Sequence, residues 1–313
     1  MRTQTFPHHA PAQQPEVALI GAGAVGLVVA AAFARAGWKV LVCGARHPFA
    51  HLRVHEVGQG AGHGADYPVQ HARTPAELAG CRVAIVAVKA HQTADVADWI
   101  VALNRADARI LVAQNGLEQC ERIAAYAPKA VGLPAIVYFN AERSAPGCSV
   151  LRRIGPTDLC LPASRQTQDL SAALQAGGLR VTTAEDMTTV VWTKLLANSA
   201  ANPLTTLCGR HTGVMREPDF VASARQVMTE VARVGQAEGA ALTAQHVDET
   251  LAWLQSVPPE SATSMLQDRQ AGRPLEYDAI TGAIVRAAER HGLDVPLNRL
   301  ILGLLSAIRP TQA

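Results

Sequence analysis

The sequence predicts an α/β fold followed by an all-α one: a doubly wound parallel sheet in the first half of the chain, then a domain built only of helices. Three observations carry this expectation. From residue 17, short β-rich runs alternate with helical stretches, the pattern of parallel strands joined by helical crossovers. The first crossover opens with a glycine-rich turn, GAGAVG at 21–26, directly after the apolar run VALI. Beyond about residue 184 the strand signals stop and only helical periodicity remains.

Taken in order, the first fifteen residues, MRTQTFPHHAPAQQP, are polar and proline-rich with no apolar core. A disordered tail is expected at 1–15, not a signal peptide or an anchor. A Rossmann-type, dinucleotide-binding domain is expected at 16–184, with strands at 17–20, 38–43, 83–88, 109–114 and 131–139. Its helices fall at 24–35, closed by Gly37, and at 92–104 and 117–126. The run VALIGAGAVGLVVAAAFARAG is long and apolar, yet its glycines and Arg35 suit a buried strand, turn and helix better than a membrane span. The helical domain, 185–313, should hold helices near 185–207, 217–238, 244–256, 260–271, 275–291 and 297–307, with Gly292 and Pro296 ending the fifth.

Composition narrows the function classes. A formal charge of +2 on 313 residues, without any lysine- or arginine-rich run, is not the electrostatic footprint of a nucleic-acid binder. The six cysteines, Cys43, Cys81, Cys120, Cys148, Cys160 and Cys208, form no CxxC pair and sit mostly in apolar runs, which suits reduced thiols in a cytoplasm. His47, His51 and His55 recur every four residues, but no cysteine or acid cluster completes a set of ligands, and no metal is expected. Glu185 and Asp186 read as charges at a helix N-terminus.

The chemistry begins at the glycine turn. Gly21 and Gly23 allow a tight bend and let backbone N–H groups approach a pyrophosphate, whose charge the helix N-terminus stabilises; Gly26 lets helix and strand pack closely. The candidate cofactor segment is therefore Gly21, Gly23, Ala24, Val25 and Gly26. An NAD site would carry an acid after the second strand to accept from the ribose 2′-OH, but WKVLVCGARHPF supplies Arg46 instead. A guanidinium matches a 2′-phosphate, so NADP(H) is the expected cofactor; a solvated loop arginine is the alternative.

Ligands of such sheets bind at the carboxyl ends of the strands. Lys89 follows VAIVAV and Asn115 follows ILVAQ, so both emerge on the edge that carries the glycine turn, although each alone could be an ordinary loop residue. The helical half offers a second wall in WTKLLANSAANPLTTL, 192–207. There Lys194, Asn198 and Asn202 are spaced by four and share one helical stripe. Lys194 could protonate the alkoxide left when a ketone takes up hydride, with the two amides holding substrate oxygens. The stripe could instead bridge helices.

These residues resemble the ketopantoate reductase family, the NADPH-dependent 2-dehydropantoate 2-reductases of pantothenate synthesis. The resemblance covers nearly the whole chain after the tail and rests on GAGAVG, VKAHQT around Lys89, QNG at 114–116, WTKLLANSAANPLTTL and SMLQDRQAGRPLEYDAITG at 264–282. It implies that Lys194 is the catalytic lysine and that Glu276 is an acid beside it that positions substrate and cofactor. It also implies that Asn115 lies near the nicotinamide and substrate, that Lys89 closes onto the cofactor, and that Asn198, Asn202 and Ser264 hold the substrate, Ser264 meeting its carboxylate. The expected activity is reduction of the C2 ketone of a 2-oxo acid, ketopantoate first, by a possible homodimer. Reduction of another 2-oxo acid, or a non-catalytic NADP(H)-binding sensor, are the alternatives.

Read from the residues alone, Ser264 and Asp268 could be a surface pair or a cap, and Glu276 an N-terminal helix charge. One stretch departs from the family pattern: Pro146-Gly147 leads into CSVLRRIG without the histidine expected there, in a segment expected to border the two domains.

Overall fold

The computed structural model describes residues 14–58 and 65–310. Of the tail expected at 1–15, residues 1–13 lie outside the described residues. Gln14 and Pro15 are tied to the start of the second strand: Gln14 Nε2 donates to Gly37 O at 2.6 Å, and Pro15 O accepts from Lys39 N at 2.8 Å.

In chain order the strands are β1 (Glu16–Ile20), β2 (Lys39–Cys43), β3 (His51–Glu56), β4 (Tyr67–Pro68), β5 (Gln70–Ala72), β6 (Val83–Val86), β7 (Arg109–Val112), β8 (Val131–Pro134), β9 (Ile136–Val137), β10 (Asn140–Ala145), β11 (Cys148–Arg152), β12 (Leu159–Pro162) and β13 (Val181–Ala184). The helices are α1 (Ala24–Arg35), α2 (Ala97–Val101), α3 (Gln119–Ala124), α4 (Gln168–Ala176), α5 (Met187–Cys208), α6 (Pro218–Ala237), α7 (Ala244–Ser256), α8 (Ser264–Gln270), α9 (Ala283–Arg290) and α10 (Pro296–Ser306).

One parallel sheet runs in the order β5-β2-β1-β6-β7-β8. Both faces are covered, which is why VALI is apolar throughout rather than alternating: Val17 and Leu19 enter one core, Ala18 and Ile20 the other. Helix α1 is buried continuously from Gly26 to Phe33. It is sealed between the parallel sheet and a second sheet, β10-β11-β3-β4, so an apolar helix without a polar face has water on neither side.

The sequence reading contains β1, α1, β2, β6, β7 and β8 but neither the second sheet nor α4. Strand β3 alternates Leu52 and Val54 inward with exposed His51, Arg53 and His55, so the two histidines share a strand face and not a helical one. Its partner β11 lies nearly a hundred residues on, beyond the reach of local pattern. The strand expected at 131–139 divides at Pro134, which has no N–H to continue the ladder; β9 turns away to pair with β12. The helix expected at 92–104 is mostly two 3₁₀ turns, Ala90–Gln92 and Ala94–Val96, before the short α2. Thr93 Oγ1 donates to Ala90 O at 2.8 Å, a local competitor of the helical ladder.

The helices from α5 onward pack around one core that includes Trp192, Leu196, Met228, Val231, Ile284 and Leu305. The 22-residue α5 runs through the middle of it, against α6, α7, α8 and α10. Asp186 caps its first turn, accepting from Thr189 N at 2.9 Å. The helix expected at 275–291 opens on a π-helical turn, Asp278–Gly282, before α9.

That π turn is where the sheet meets the helices. Gly116, after β7, has φ +86°, and a Cβ there would overlap the carbonyl oxygen of Ala279. Leu117 N donates to that oxygen at 3.0 Å, which also shortens the helix expected at 117–126 to α3. Next to it, the Arg286 guanidinium grips Glu118 through both arms, at 2.8 and 3.2 Å. Gly116→Ala should therefore strain both the backbone and the seam, lowering stability by about 2–4 kcal/mol in urea unfolding. An unchanged unfolding midpoint would mean that the turn has room to spare.

Candidate active site

The carboxyl edge of the parallel sheet collects the turns that the sequence reading places there. Gly21 ends β1 with φ +102°, and a Cβ on it would overlap the backbone N of Val88; a Cβ on Gly26 would overlap Gly21 O. The backbone at both positions is packed against a neighbouring turn, leaving no room for any larger residue. Gly23 caps α1 with no side-chain hydrogen bond, so the first-turn N–H groups of Ala24 and Val25 face outward from an uncapped positive helix end. This cradle and the open helix end fit a pyrophosphate.

Two cations flank it. Arg46, three residues past β2, is exposed and makes no ion pair among the described residues. Arg73 follows β5, whose last residue Ala72 lies beside Cys43, the last of β2, so both arginines leave adjacent parallel strands on one edge. Position 44, where an acid would accept from a ribose 2′-OH, holds glycine, and the Trp99 indole lies 3.1 Å from where its Cβ would be. Local pattern does not single out Arg73, because the strand before it is only three residues long.

Lys89 does not stand free. Its Nζ lies 3.0 Å from Asp268 Oδ2 and 3.0 Å from Glu276 Oε2. Glu276 Oε1 also accepts from Ala90 N at 3.0 Å, and Asp268 Oδ1 from Arg273 Nε at 2.9 Å. Burial alone would lower the Lys89 pKa, but the two carboxylates outweigh it and raise it above the ordinary lysine value. Glu276, expected beside Lys194, is here the partner of Lys89; Asp268, which from its residues could be a surface pair or cap, is buried and completes the same clasp.

The turn after β7 is wired to the Lys89 turn. Buried Gln114 donates through Nε2 to Val88 O at 3.1 Å and to Thr93 Oγ1 at 2.9 Å, while its Oε1 accepts from Arg122 Nε at 3.3 Å. Asn115 is thereby presented at the rim with a side chain that makes no hydrogen bond among the described residues. Facing it across a cleft are Lys194 and Asn198 of α5. Ile136, Val137, Val191 and Leu195 supply apolar walls.

Lys194 is half-buried at the bottom of this arrangement. Among the described residues no carboxylate pairs with it; its Nζ sits over the ring of Tyr138, 5.1 Å from the centroid. Burial pushes its pKa down to about 8. Asn198 stands one turn on, and Asn202 one turn further, where the stripe leaves the cleft: Asn202 is buried, its Nδ2 donates to Asn198 Oδ1 at 3.4 Å, and its Oδ1 accepts from Ser264 Oγ at 3.3 Å and Met265 N at 3.4 Å. Asn202 thus links α5 to α8, and Ser264 lies at the exposed end of that chain.

The segment that departs from the family pattern is expected to border the two domains. It instead forms β11 and its flanks, behind α1: Ser149 Oγ donates to Ala24 O at 3.1 Å, and Arg153 pairs with Glu56 at 2.7 Å and with buried Asp158. None of its residues lines the cleft.

A sheet edge shaped for a dinucleotide, closed by a helical half that contributes a half-buried lysine, defines a nicotinamide-dependent oxidoreductase. The family models for ketopantoate reductase PanE/ApbA match residues 17–161, and for its C-terminal part residues 186–309. The chain belongs to the ketopantoate reductase family. It is 37% identical over 295 residues to the 2-dehydropantoate 2-reductase of Mycobacterium tuberculosis, covering 93% of this chain and 97% of that one. The Caulobacter vibrioides enzyme of the same name is 32% identical over 294 residues, covering 93% and 98%. Among solved structures, the dimeric ketopantoate reductase of Staphylococcus aureus superposes with a TM-score of 0.81 at 28% identity, covering 94% of this chain and 98% of that one.

The Lys194 geometry has a consequence for stability. Its pKa falls from the ordinary 10.5 to about 8 on folding, so between these values the unfolded chain holds more protons and stability rises with pH. At neutral pH the cost of burying the ammonium is fully present. Lys194→Met should therefore stabilise the protein at pH 7 by roughly 2 kcal/mol, and thermal unfolding should show this advantage fading as the pH approaches about 10. A destabilised Met variant would show that the ammonium is not a strained group.

Proposed function

We propose that this chain reduces the C2 ketone of 2-dehydropantoate (ketopantoate) to pantoate, using NADP(H), with Lys194 as the proton donor. The observation that carries this reading is the cleft in which Asn115 from the sheet half and Lys194 and Asn198 from the helical half converge. NADPH, when bound, supplies the hydride. Gly21, Gly23, Ala24, Val25 and Gly26 would hold its pyrophosphate, Arg46 its 2′-phosphate, with Arg73 beside it, and Lys89 and Asn115 would lie along the reacting end. Relatives named for the same reaction, at up to 37% identity and over nearly their whole length, support the substrate.

Lys194 would meet the ketone oxygen as an ammonium and release its proton as negative charge develops there. A pKa near 8 keeps it protonated at neutral pH while making it a better acid than an ordinary lysine. Asn198 and Asn115 would orient substrate oxygens, with Ser264 held by Asn202 for the carboxylate. The apolar walls Ile136, Val137, Val191 and Leu195 suit the two methyl groups on C3 of ketopantoate. Glu276 would act through Lys89, aligning it for the cofactor. We place the cofactor domain at 16–184 and the substrate domain at 185–313, and a homodimer, as in the Staphylococcus aureus relative, is the proposed assembly. Among the described residues no helix is long and apolar enough to cross a membrane, and all six cysteines are free, in keeping with a cytoplasmic enzyme.

The decisive assay follows NADPH absorbance with a panel of 2-oxo acids, NADH in parallel. Ketopantoate should be the best substrate; another acid ahead of it would reassign the substrate, and NADPH binding without turnover of any acid would make the protein a cofactor sensor. Lys194→Ala should lower kcat by about 10²–10⁴ with the cofactor still bound. For the unaltered enzyme kcat/KM should fall as pH rises through about 8, because the donor loses its proton there. Arg46→Ala should raise the Kd for NADPH tenfold or more, about 1.4 kcal/mol, and leave that for NADH nearly unchanged; equal losses would remove the 2′-phosphate assignment.

A further inference from the structure

We propose that Tyr138 is a positioning residue for Lys194: the face of its ring takes the place of a counter-ion and holds the ammonium at the cleft with its N–H groups free to reach a ketone. The proposal rests on the reading of Lys194 as the proton donor and adds to it a group from the far side of the cleft.

The geometry is specific. Lys194 Nζ lies 5.1 Å from the Tyr138 ring centroid, within the range at which a cation is drawn to the negative face of an aromatic ring. Tyr138 directly follows β9, whose Ile136 and Val137 line the cleft, and its N donates to Asp158 O at 2.9 Å. Asp158 is fully buried and gripped by Arg153 and by Arg180, the latter at 3.0 Å. The backbone that carries the ring is therefore tied to a buried ion-pair node.

A ring suits this chemistry better than a carboxylate. A carboxylate beside Lys194 would hold its hydrogens in strong charge-assisted bonds, raise its pKa and repel the carboxylate of a 2-oxo acid. A π face takes up no hydrogens, does not repel a carboxylate and favours the charged form only weakly. Burial pushes the Tyr138 phenol up to about 12, so the ring stays neutral over the working range. The charged groups on the surrounding elements are otherwise engaged: Glu118 and Asp278 with Arg286, Glu276 and Asp268 with Lys89, Asp268 also with Arg273, and Asp186 with the first turn of α5. Arg122 donates to Gln114 and Leu117 O, and Cys160 on β12 is a buried thiol whose pKa is raised by that burial. Burial lowers the Lys194 pKa, and the ring face opposes that shift by favouring the charged form.

The test uses the scarcity of lysine. The chain has four, Lys39, Lys89, Lys129 and Lys194, so protein labelled with ¹³C at lysine Cε gives four signals, and the one missing from Lys194→Met is Lys194. Its titration is followed in the cofactor-free protein for the natural chain, Tyr138→Phe and Tyr138→Leu, alongside the pH profile of kcat/KM. Phe keeps the ring face and should leave both the midpoint and the basic limb in place. Leu keeps apolar cover without the ring and should move both down by about one pH unit. Should the Leu variant not fold, Tyr138→Met is read in the same way. A midpoint that stays or rises on loss of the ring, or that falls as far in Phe as in Leu, overturns the proposal. Because the lysine titration needs no turnover, it fails or succeeds separately from the assignment of Lys194 as proton donor, which Lys194→Ala decides.

Discussion

An ammonium buried without a carboxylate is the constraint around which this molecule is arranged. In its proposed role as proton donor, Lys194 has to be desolvated enough to be a better acid than a surface lysine, yet an isolated charge in an apolar interior is costly enough to neutralise itself. The surroundings keep it in the narrow range between. It is half-buried on a helix that a large apolar core immobilises, it has a polar amide one turn away, and it has a ring face and not an anion on its other side. Lys89, on the sheet half, is treated in the reverse manner, with two buried carboxylates on one ammonium. Two lysines at one seam thus carry opposite electrostatic environments, suited to different tasks.

The arrangement exists only because the seam is rigid where it must be. The turn after β7 touches the helical half through backbone: Gly116 lies against Ala279, and Leu117 bonds its carbonyl. That carbonyl belongs to the π-helical turn Asp278–Gly282. Around this fixed point are contacts of another kind, long charged side chains such as Arg286 on Glu118 and Lys89 on Asp268 and Glu276. The partly exposed Arg286–Glu118 pair is exchangeable in a way that a carbonyl under a glycine is not, whereas the Lys89 clasp ends on two buried carboxylates.

The nucleotide half obeys a different economy. Its first helix is apolar on every side because it is enclosed by two sheets, and the second sheet also carries β11, the stretch that departs from the family pattern. Arg153 in that stretch serves Glu56 and Asp158, and Asp158 in turn accepts the backbone of Tyr138 through its carbonyl. The departure therefore lies in the scaffold behind the site, not in the walls of the cleft.

What the sequence by itself determined was whatever depends on local period and on the direction of parallel strands. A glycine turn after VALI, Arg46, Lys89 and Asn115 had to reach one edge, because every strand of a parallel sheet ends on the same side; Lys194 and Asn198 had to share a face, because 3.6 residues make a turn. What only the tertiary structure decided was partnership. Lys89 meets Asp268 and Glu276 across 179 and 187 residues, Asn202 leaves the stripe to serve Ser264, and β3 finds β11 far along the chain. No local pattern encodes such pairings, since the free energy of a buried charge depends on which groups the folded chain brings within a few ångströms, and that is a property of the packing alone.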